Sequence, residues 1–264
     1  MEANGVPLRE WGVEINYGIK TGNNDAFIID GDKRDEILNN CATEEERIRT
    51  AEIIRPILRG EDVKRYSCDF ADKWLINTHN GLKRKGLSSV NIEDYPALKQ
   101  HLDKYFEKIE KRSDKGNTPY NLRNCVYMDN FSKPKIVYPN MTKFLPFYFD
   151  EKGFYTNQKC FIITGNRLGF LTAFFNSSLF RFCFKENFPG LQGESRELSK
   201  VYFDKIRILQ IDDETNSLFE KKIRQIQLFK EKGEPTLELE DSVDKAIFLL
   251  YKLTEEEIDL ISKG

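Results

Sequence analysis

Two acidic residues followed by a lysine form a pattern in this chain that could support catalysis. Asp212 is followed by Glu220 and Lys222, similar to the acid, acid-x-Lys spacing with which some nucleases bind a divalent metal ion and cleave phosphodiesters. Those nucleases hold their acidic side chains on strands. Here the residues fall in a run of alternating charge, which is typical of a solvated helix face. A metal-dependent nuclease therefore stays an alternative, and an exposed helix is the simpler interpretation.

The sequence offers little support for other catalytic, cofactor or metal sites. His79 and His101 lack the i, i+4 spacing that places two imidazoles on one helix face. The five cysteines are scattered without a C-x-x-C pair, and no G-x-G-x-x-G, G-x-x-x-x-G-K-[ST] or G-x-S-x-G motif occurs. Residues 117–120 (N-T-P-Y) differ from the N-P-P-Y tetrad of adenine methyltransferases and are interpreted as a turn. We expect no catalytic residue, metal or cofactor in this chain.

Several basic and amide-bearing segments favour contact with nucleic acid. Residues 20–24 (K-T-G-N-N) combine a cation, a hydroxyl and two amides, the groups that read base edges and bind phosphates. Residues 59–66 (R-G-E-D-V-K-R-Y) and 83–86 (K-R-K-G) place cations beside glycine or an aromatic residue. Residues 190–196 (G-L-Q-G-E-S-R) form a glycine-bracketed loop. Ordinary turns and connectors remain the alternative for the first and last of these segments.

The charge of the chain is unevenly distributed. The whole chain has a net charge of −2, yet residues 61–210 contain 25 basic and 17 acidic residues, whereas residues 1–60 and 211–264 are both acidic. A basic centre suits a surface that binds a polyanion, because neutralisation of phosphates dominates non-specific affinity for nucleic acid. A solvated surface of mixed charge is the alternative.

Periodicity predicts strands and helices that position these segments. Alternating apolar residues from Trp11 to Ile19, a polar turn at 21–25 and a second apolar run at 26–29 predict a β-hairpin with a polar tip. Further strands are predicted at 74–76, 136–138, 145–149, 160–164 and 201–209. Helices are predicted from Thr43 to about Ile54, over 94–112 and, fully buried, over 168–184. From about residue 212 the pattern is helical, and Thr254 with Glu257 predicts a capped final helix.

These elements predict an α+β fold in two parts. Residues 1–210 are expected to form a twisted, mostly antiparallel or mixed β-sheet domain with packed helices. Residues 211–264 are expected to form a helical C-terminal segment that packs on this domain or on a catalytic domain outside the chain. The N-terminus (M-E-A-N-G) lacks the basic and apolar regions of a signal peptide, and no stretch is long and apolar enough to cross a bilayer. We expect a cytoplasmic protein without a membrane partner.

Several segments, read in order, resemble the C-terminal specificity domain of TaqI-like adenine methyltransferases and of fused type II (type IIG) restriction-modification enzymes. The resemblance rests on residues 18–29 (G-I-K-T-G-N-N-D-A-F-I-I), 54–66 (I-R-P-I-L-R-G-E-D-V-K-R-Y), Tyr95-Pro96, 134–139 (P-K-I-V-Y-P), 176–178 (N-S-S) and the ending from Asp244 to Ile258. The order and spacing of these segments span nearly the whole chain.

The resemblance implies a target-recognition domain that reads double-stranded DNA. In that family a separate N-terminal domain binds S-adenosylmethionine and methylates adenine at N6, and some members add a nuclease, which would need Mg²⁺. The partners implied are double-stranded DNA and a methyltransferase domain, in the same polypeptide or in a separate subunit. The chain begins just before the first strand of the family, so we expect it to be a piece of a larger polypeptide.

We therefore expect a sequence-specific DNA recognition module that does no chemistry by itself. A nuclease with an unrecognised acidic site and a protein-interaction module with a basic face are the alternatives. For three of the residues in these segments, a structural role is the alternative to contact with DNA: Arg55, Tyr66 and Lys135. The residues expected to contact DNA are Lys20, Thr21, Asn23, Asn24, Arg59, Lys64, Arg65, Lys83, Arg84, Lys135 and Arg196.

Overall fold

The computed structural model describes residues 5–188, 190 and 195–263 and has an α+β fold, as the sequence predicts. The helices are α1 Asn24–Phe27, α2 Gly31–Asn39, α3 Glu44–Ile53, α4 Pro96–Asp103, α5 Phe106–Lys111, α6 Leu168–Asn176, α7 Ser178–Asn187, α8 Lys200–Phe203, α9 Asp213–Glu231, α10 Leu237–Leu250 and α11 Glu255–Lys263. The strands are β1 Val6–Pro7, β2 Val13–Tyr17, β3 Ile28–Asp30, β4 Ile54–Leu58, β5 Val63–Lys64, β6 Ser67–Cys68, β7 Lys73–Ile76, β8 Lys135–Pro139, β9 Met141–Thr142, β10 Tyr148–Asp150, β11 Tyr155–Thr156, β12 Cys160–Gly165, β13 Arg196–Glu197 and β14 Arg207–Ile208.

Two four-stranded sheets form the framework. The first has the order β10-β8-β12-β2 and is antiparallel throughout. The second has the order β11-β4-β7-β3, in which β11 runs parallel to β4 and the other pairs are antiparallel. Short pairs β1–β14, β13–β9 and β5–β6 complete the strand pairing of the described residues. One four-stranded sheet is therefore antiparallel and the other mixed, in line with the expected mostly antiparallel or mixed sheet.

The first sheet separates two hydrophobic cores. Along β8, Ile136 and Tyr138 belong to one core, whereas Val137 belongs to the other. This division follows from the alternation of side chains along a strand. The first core contains α6, α7 and the C-terminal helices, and the second contains the second sheet with α1 to α4. A strand buried on both faces places its ends, rather than its faces, at the surface.

The helical tail packs on the helices that follow the first sheet. Helix α9 lies against α6, α10 contacts α9 and α7, and α11 contacts α7. The contact between α6 and α9 is close, because a Cβ atom at Gly169 would lie 2.6 Å from Cβ of Glu220. None of the helices in the described part of the chain has the length and apolar composition needed to span a bilayer.

The predicted capping box of α11 is complete, whereas that of α3 forms only in half, because the Glu46 carboxylate accepts from the Ala42 N–H at 2.9 Å instead of the Thr43 N–H. The Thr43 hydroxyl accepts from the Glu46 N–H at 3.2 Å at the start of α3. At the start of α11, the Glu257 N–H donates to the Thr254 hydroxyl at 3.3 Å and the Thr254 N–H donates to the Glu257 carboxylate at 2.8 Å. Such bonds span only three residues, which is why the sequence reveals them.

Some predicted elements differ in the structure. The helix predicted over 94–112 is divided into α4 and α5, and the buried helix over 168–184 is divided into α6 and α7 at Ser177, which caps α7 by accepting from the Phe180 N–H at 3.1 Å. The strand predicted at 201–209 begins as α8 and only β14 is extended. Several apolar residues are buried in each segment, although Phe182 and Val201 are exposed. Burial alone does not determine the period of the backbone.

The predicted N-terminal hairpin is wrong. Strand β2 pairs with β12 in the first sheet, and β3 pairs with β7 in the second sheet. The chain between them forms a bridge from Ile19 to Asn157 and then the short helix α1, instead of a turn. Strands β2 and β3 each pair with a longer strand, and the two pairs belong to different sheets. This pairing outweighs the turn that the sequence of residues 21–25 predicts.

Candidate nucleic-acid interface

A groove lined by basic side chains lies where β8 ends at Pro139. We call it the cationic groove. It has a volume of about 1030 Å³ and is bounded by the β5–β6 turn, the loop of residues 141–146, helix α7 and strand β13. Its basic side chains are Lys64, Arg65, Lys143, Arg181 and Arg196. Five cations at one cavity make it the strongest candidate for binding a polyanion.

The β5–β6 turn positions two of these cations. Lys64 is paired with Ser67, so Arg65 and Tyr66 form a two-residue turn. Tyr66 has a left-handed backbone (φ 61°), its ring is fully buried, and its N–H donates to the Phe147 carbonyl at 3.1 Å. A non-glycine residue with positive φ is strained and persists only where its surroundings hold it. The buried Tyr66 therefore fixes the position of Arg65 at the groove.

Arg65 is oriented by the helical part of the chain. Its Nε and Nη2 donate to the Asn176 carbonyl at 3.1 and 2.8 Å, and its Nη1 donates to the Glu240 carboxylate. Glu240 is buried and also pairs with Lys230 at 2.9 Å. Three of the five guanidinium N–H groups are thereby used among the described residues, while 40% of the side chain stays exposed. The result is a preoriented cation with donors left for a ligand.

In the described part of the chain, Lys143 and Arg181 lack an acidic partner. Among the side chains that the structure describes, no carboxylate lies within ion-pair distance of either. Glu61 is the acidic residue that lines the groove, and it pairs with Arg59 at 2.6 Å. Lys64 donates to the Glu61 carbonyl at 2.7 Å and lies 3.7 Å from Asp69. The described residues therefore neutralise only part of the positive charge of the groove.

The predicted contacts at residues 20–24 do not form a protruding tip. Thr21 is fully buried and its hydroxyl donates to the Asn24 amide oxygen at 2.6 Å, so the prediction that Thr21 contacts DNA is wrong. Asn23 caps α1, and Lys20 pairs with Asp114 at 3.1 Å. None of these four side chains lines the cationic groove.

Arg59 lies at the border of the groove but is bound within the chain. Its Nε and Nη2 donate to the buried carboxylate of Asp62 at 3.1 and 2.8 Å. The hydrogen bonds that Arg59 donates to the Asp62 carboxylate raise the pKa of Arg59 above its ordinary value. Gly60, the next residue, lines the groove. Arg59 thus shapes the segment that leads into the β5–β6 turn.

The basic cluster at residues 83–85 lies at the other end of β8. Arg84 and Lys85 pair with Asp129 at 2.8 and 2.6 Å, and these two cations lower the pKa of Asp129 to about 2. Arg84 lines a second cavity of about 720 Å³ with Lys133, which precedes β8, and Lys83 is exposed. A five-residue strand spans about 17 Å, so the predicted contacts fall into separate groups rather than on one continuous surface.

Lys135 is a structural residue, and the prediction that it contacts DNA is wrong. It is fully buried, and its Nζ donates to the Asp150 carboxylate at 2.5 Å and to the Phe131 carbonyl at 2.6 Å. Burial lowers the pKa of Lys135, and Asp150 opposes this change. The alternative that Lys135 is structural is correct, because an ammonium group enclosed on β8 has no access to a phosphate.

The residues of the nuclease pattern lie along α9 and do not converge. Asp212 caps α9 by accepting from the Thr215 N–H at 2.8 Å, and Lys222 donates to the Ser242 hydroxyl at 3.0 Å. Asp212 and Glu220 are eight residues apart, about 12 Å along a helix axis, too far for one metal ion to bridge. Within residues 5–188, 190 and 195–263, no group of three or more His, Cys, Asp or Glu side chains is arranged to hold a metal ion.

The sequence predictions missed the loop of residues 141–146 and Arg181. The loop holds Lys143 and the exposed side chains of Met141 and Phe144. The available signal was a lysine next to an aromatic residue, Lys143 and Phe144. This signal was not used, because the strand predicted at 145–149 begins directly after it. Of the predicted contacts, Lys64, Arg65 and Arg196 are brought together at the groove. The interior of the predicted glycine-bracketed loop, residues 191–194, lies outside the described residues.

Comparison with known proteins relates this chain to restriction-modification enzymes. Residues 55–208 match the model of the TaqI-like C-terminal specificity domain. The chain is 23% identical over 253 residues to the type II methyltransferase M.BstVI of Geobacillus stearothermophilus, covering 94% of this chain and 40% of that protein. The chain thus spans about two fifths of the length of this curated relative.

A solved structure has the same overall fold as this chain. The type IIL restriction-modification enzyme MmeI, determined in complex with DNA, superposes with a TM-score of 0.65 at 12% identity, covering 100% of this chain and 38% of that one. The type IIG restriction endonuclease BpuSI gives a TM-score of 0.49 at 13% identity over 85% of this chain and 27% of that one. At such low identity, the likeness to MmeI supports the fold alone.

Proposed function

Because this chain belongs to the TaqI-like C-terminal specificity domain family, we propose that it recognises a specific double-stranded DNA sequence through the cationic groove. The observation that carries the proposal is the convergence of Lys64, Arg65, Lys143, Arg181 and Arg196 on one cavity. These residues come from segments far apart in the chain, and the fold collects their charge at the end of one strand.

The cations of the groove have two different tasks. Lys143 and Arg181 lack carboxylate partners among the described side chains, so they are available to bind phosphates. Such contacts give affinity and set the orientation of the duplex but do not read its sequence. Arg65 is held in one orientation by Asn176 and Glu240, and an oriented guanidinium is the group best suited to the O6 and N7 acceptors of guanine.

The chain serves a catalyst located elsewhere. The curated relative is a type II methyltransferase and is much longer than this chain. We propose that the DNA-bound chain positions an adenine N6-methyltransferase domain, in the same polypeptide or in a separate subunit. That domain would bind S-adenosylmethionine, and a nuclease domain, where present, would use Mg²⁺. The residues of this chain bind and orient the DNA.

Selection from randomised duplexes tests this function. The 264-residue chain is incubated with a library of random double-stranded DNA, the bound fraction is sequenced, and the affinity for the enriched duplex is measured by fluorescence anisotropy over a range of salt concentrations. We expect one enriched motif, bound at least about 10³-fold more tightly than random duplex. The logarithm of affinity should fall linearly with the logarithm of salt concentration.

Charge-removing variants connect the binding to the groove. Lys143→Ala and Arg181→Ala are each expected to reduce the salt slope by about 1. Lys108→Ala is the matched control, because Lys108 is exposed on α5 and does not line the groove. If the wild-type chain shows no DNA binding at low salt, the protein-interaction alternative is favoured and the proposal is wrong.

A further inference from the structure

The most exposed aromatic side chain in the described part of the protein lies at the cationic groove. Phe144 is 80% exposed, whereas Tyr17, Phe70 and Phe182 are 42% or less exposed. Met141, in the same loop, is 60% exposed. Large apolar side chains that line a cavity and remain in water commonly mark a site that a partner covers.

The backbone that carries Phe144 is held firmly. The Thr142 hydroxyl accepts from the Phe144 N–H at 2.9 Å and donates to the Phe144 carbonyl. Strand β9, which precedes the loop, pairs with β13, and the Leu198 N–H donates to the Asn140 carbonyl at 2.7 Å. After the loop, Phe147 is fully buried in the first core. An exposed side chain on an anchored backbone is preorganised for binding.

The surroundings of Phe144 identify the kind of partner. Lys143 is its neighbour in the chain, and Lys64, Arg181 and Arg196 line the same cavity. An apolar surface on a partner does not by itself satisfy these cations. A nucleic acid presents both phosphates for the cations and flat apolar bases for the ring, and aromatic stacking on bases occurs beside such basic grooves.

We propose that Phe144 is a wedge that stacks against or between the base pairs of the bound duplex while Lys143 and Arg181 hold the flanking phosphates. This inference rests on the proposed DNA recognition. Apolar side chains that enter the base stack partly unstack it and kink the duplex. Phe144 therefore opens the stack at one step of the recognised sequence.

The environment-sensitive base analogue 2-aminopurine provides the test. Duplexes of the selected sequence carry the analogue in place of one adenine at a time, within the selected motif and in its flanks, and fluorescence is recorded with the full 264-residue chain. With wild type, fluorescence should rise several-fold at one step, because unstacking removes quenching. With Phe144→Ala this rise should be lost and affinity should fall on the order of tenfold, while the salt slope is unchanged because no charge is removed.

Matched variants separate the wedge from a general effect. Phe144→Leu should retain part of the fluorescence change. Leu249→Ala removes an equally exposed apolar side chain, 80% exposed on α10, and should change nothing. Thermal unfolding should be the same for all three variants. If wild type binds the selected DNA but no position responds, or if Phe144→Ala binds normally, the wedge is refuted and DNA recognition stands. If wild type does not bind DNA, both proposals fail.

Discussion

Replacing Lys135 tests whether this buried cation has a structural role, in contrast to the groove cation Lys143, which we propose to bind DNA. Lys135 and Asp150 are both fully buried, and their charged groups are 2.5 Å apart. Lys135→Met keeps an unbranched chain of similar length but removes the ammonium group. The Asp150 carboxylate then stays buried without its cation, and the Phe131 carbonyl loses its donor.

The structure sets the size of the expected effect. Removing one partner of a buried ion pair costs about 3–5 kcal/mol of unfolding free energy. Asp150 retains two other donors, the N–H groups of Lys152 at 2.8 Å and Phe154 at 2.9 Å, so we expect a loss near 3 kcal/mol, the lower end of that range. Lys135→Met combined with Asp150→Asn should recover part of this loss, because the double variant no longer buries an unpaired charge.

Urea unfolding and DNA binding are measured on the same preparations. Lys135→Met should lower the urea midpoint but leave the salt slope of DNA binding unchanged at temperatures where the variant is folded. Lys143→Met should do the reverse, with an unchanged urea midpoint and a salt slope reduced by about 1. A Lys135→Met protein as stable as wild type, or one with a reduced salt slope, would refute the assignment of Lys135 as a buried structural residue.

Three further perturbations follow from named contacts. Glu240→Gln should lower the unfolding free energy by about 1–3 kcal/mol. It should also weaken discrimination between selected and random duplexes, because Arg65 loses the carboxylate that orients it. Unchanged discrimination in competition anisotropy would contradict this positioning role of Glu240. Burial lowers the pKa of His101 in the folded state, so the unfolded state binds more protons below about pH 6.5 and stability should fall there. The melting temperature of wild type should therefore decrease between pH 7.5 and pH 5.5, and the decrease should be smaller in His101→Gln. An equal decrease in the two proteins would contradict this role of His101. Gly18→Ala should lower the free energy of unfolding by about 1–3 kcal/mol, because the new Cβ would lie 2.0 Å from the Asn157 carbonyl oxygen. A melting temperature equal to that of wild type would exclude this close contact.

Short-range features of the fold could be predicted because their causes lie within a few residues. The N-terminal caps that Thr43 and Thr254 provide use bonds between residues three positions apart. The amphipathic pattern after Asp212 likewise predicts the long helix α9. The site was only partly predictable. The segment of residues 59–66, which contains the β5–β6 turn, was singled out from its basic residues. Lys143 and Arg181 were missed because isolated cations form no sequence pattern.

The sequence by itself determined the α+β composition, the helical tail and the basic centre of the chain, since each follows from residue types and spacings within short windows. Only the tertiary structure decided which strand pairs with β2 and which cations line the cationic groove. Lys135 and Lys143 are indistinguishable by residue type, yet one is enclosed against Asp150 and the other lines a groove. Arg65 is oriented by Glu240, 175 positions away. Contacts at that separation form only when the whole chain has packed. A short window of sequence never contains both partners of such a contact.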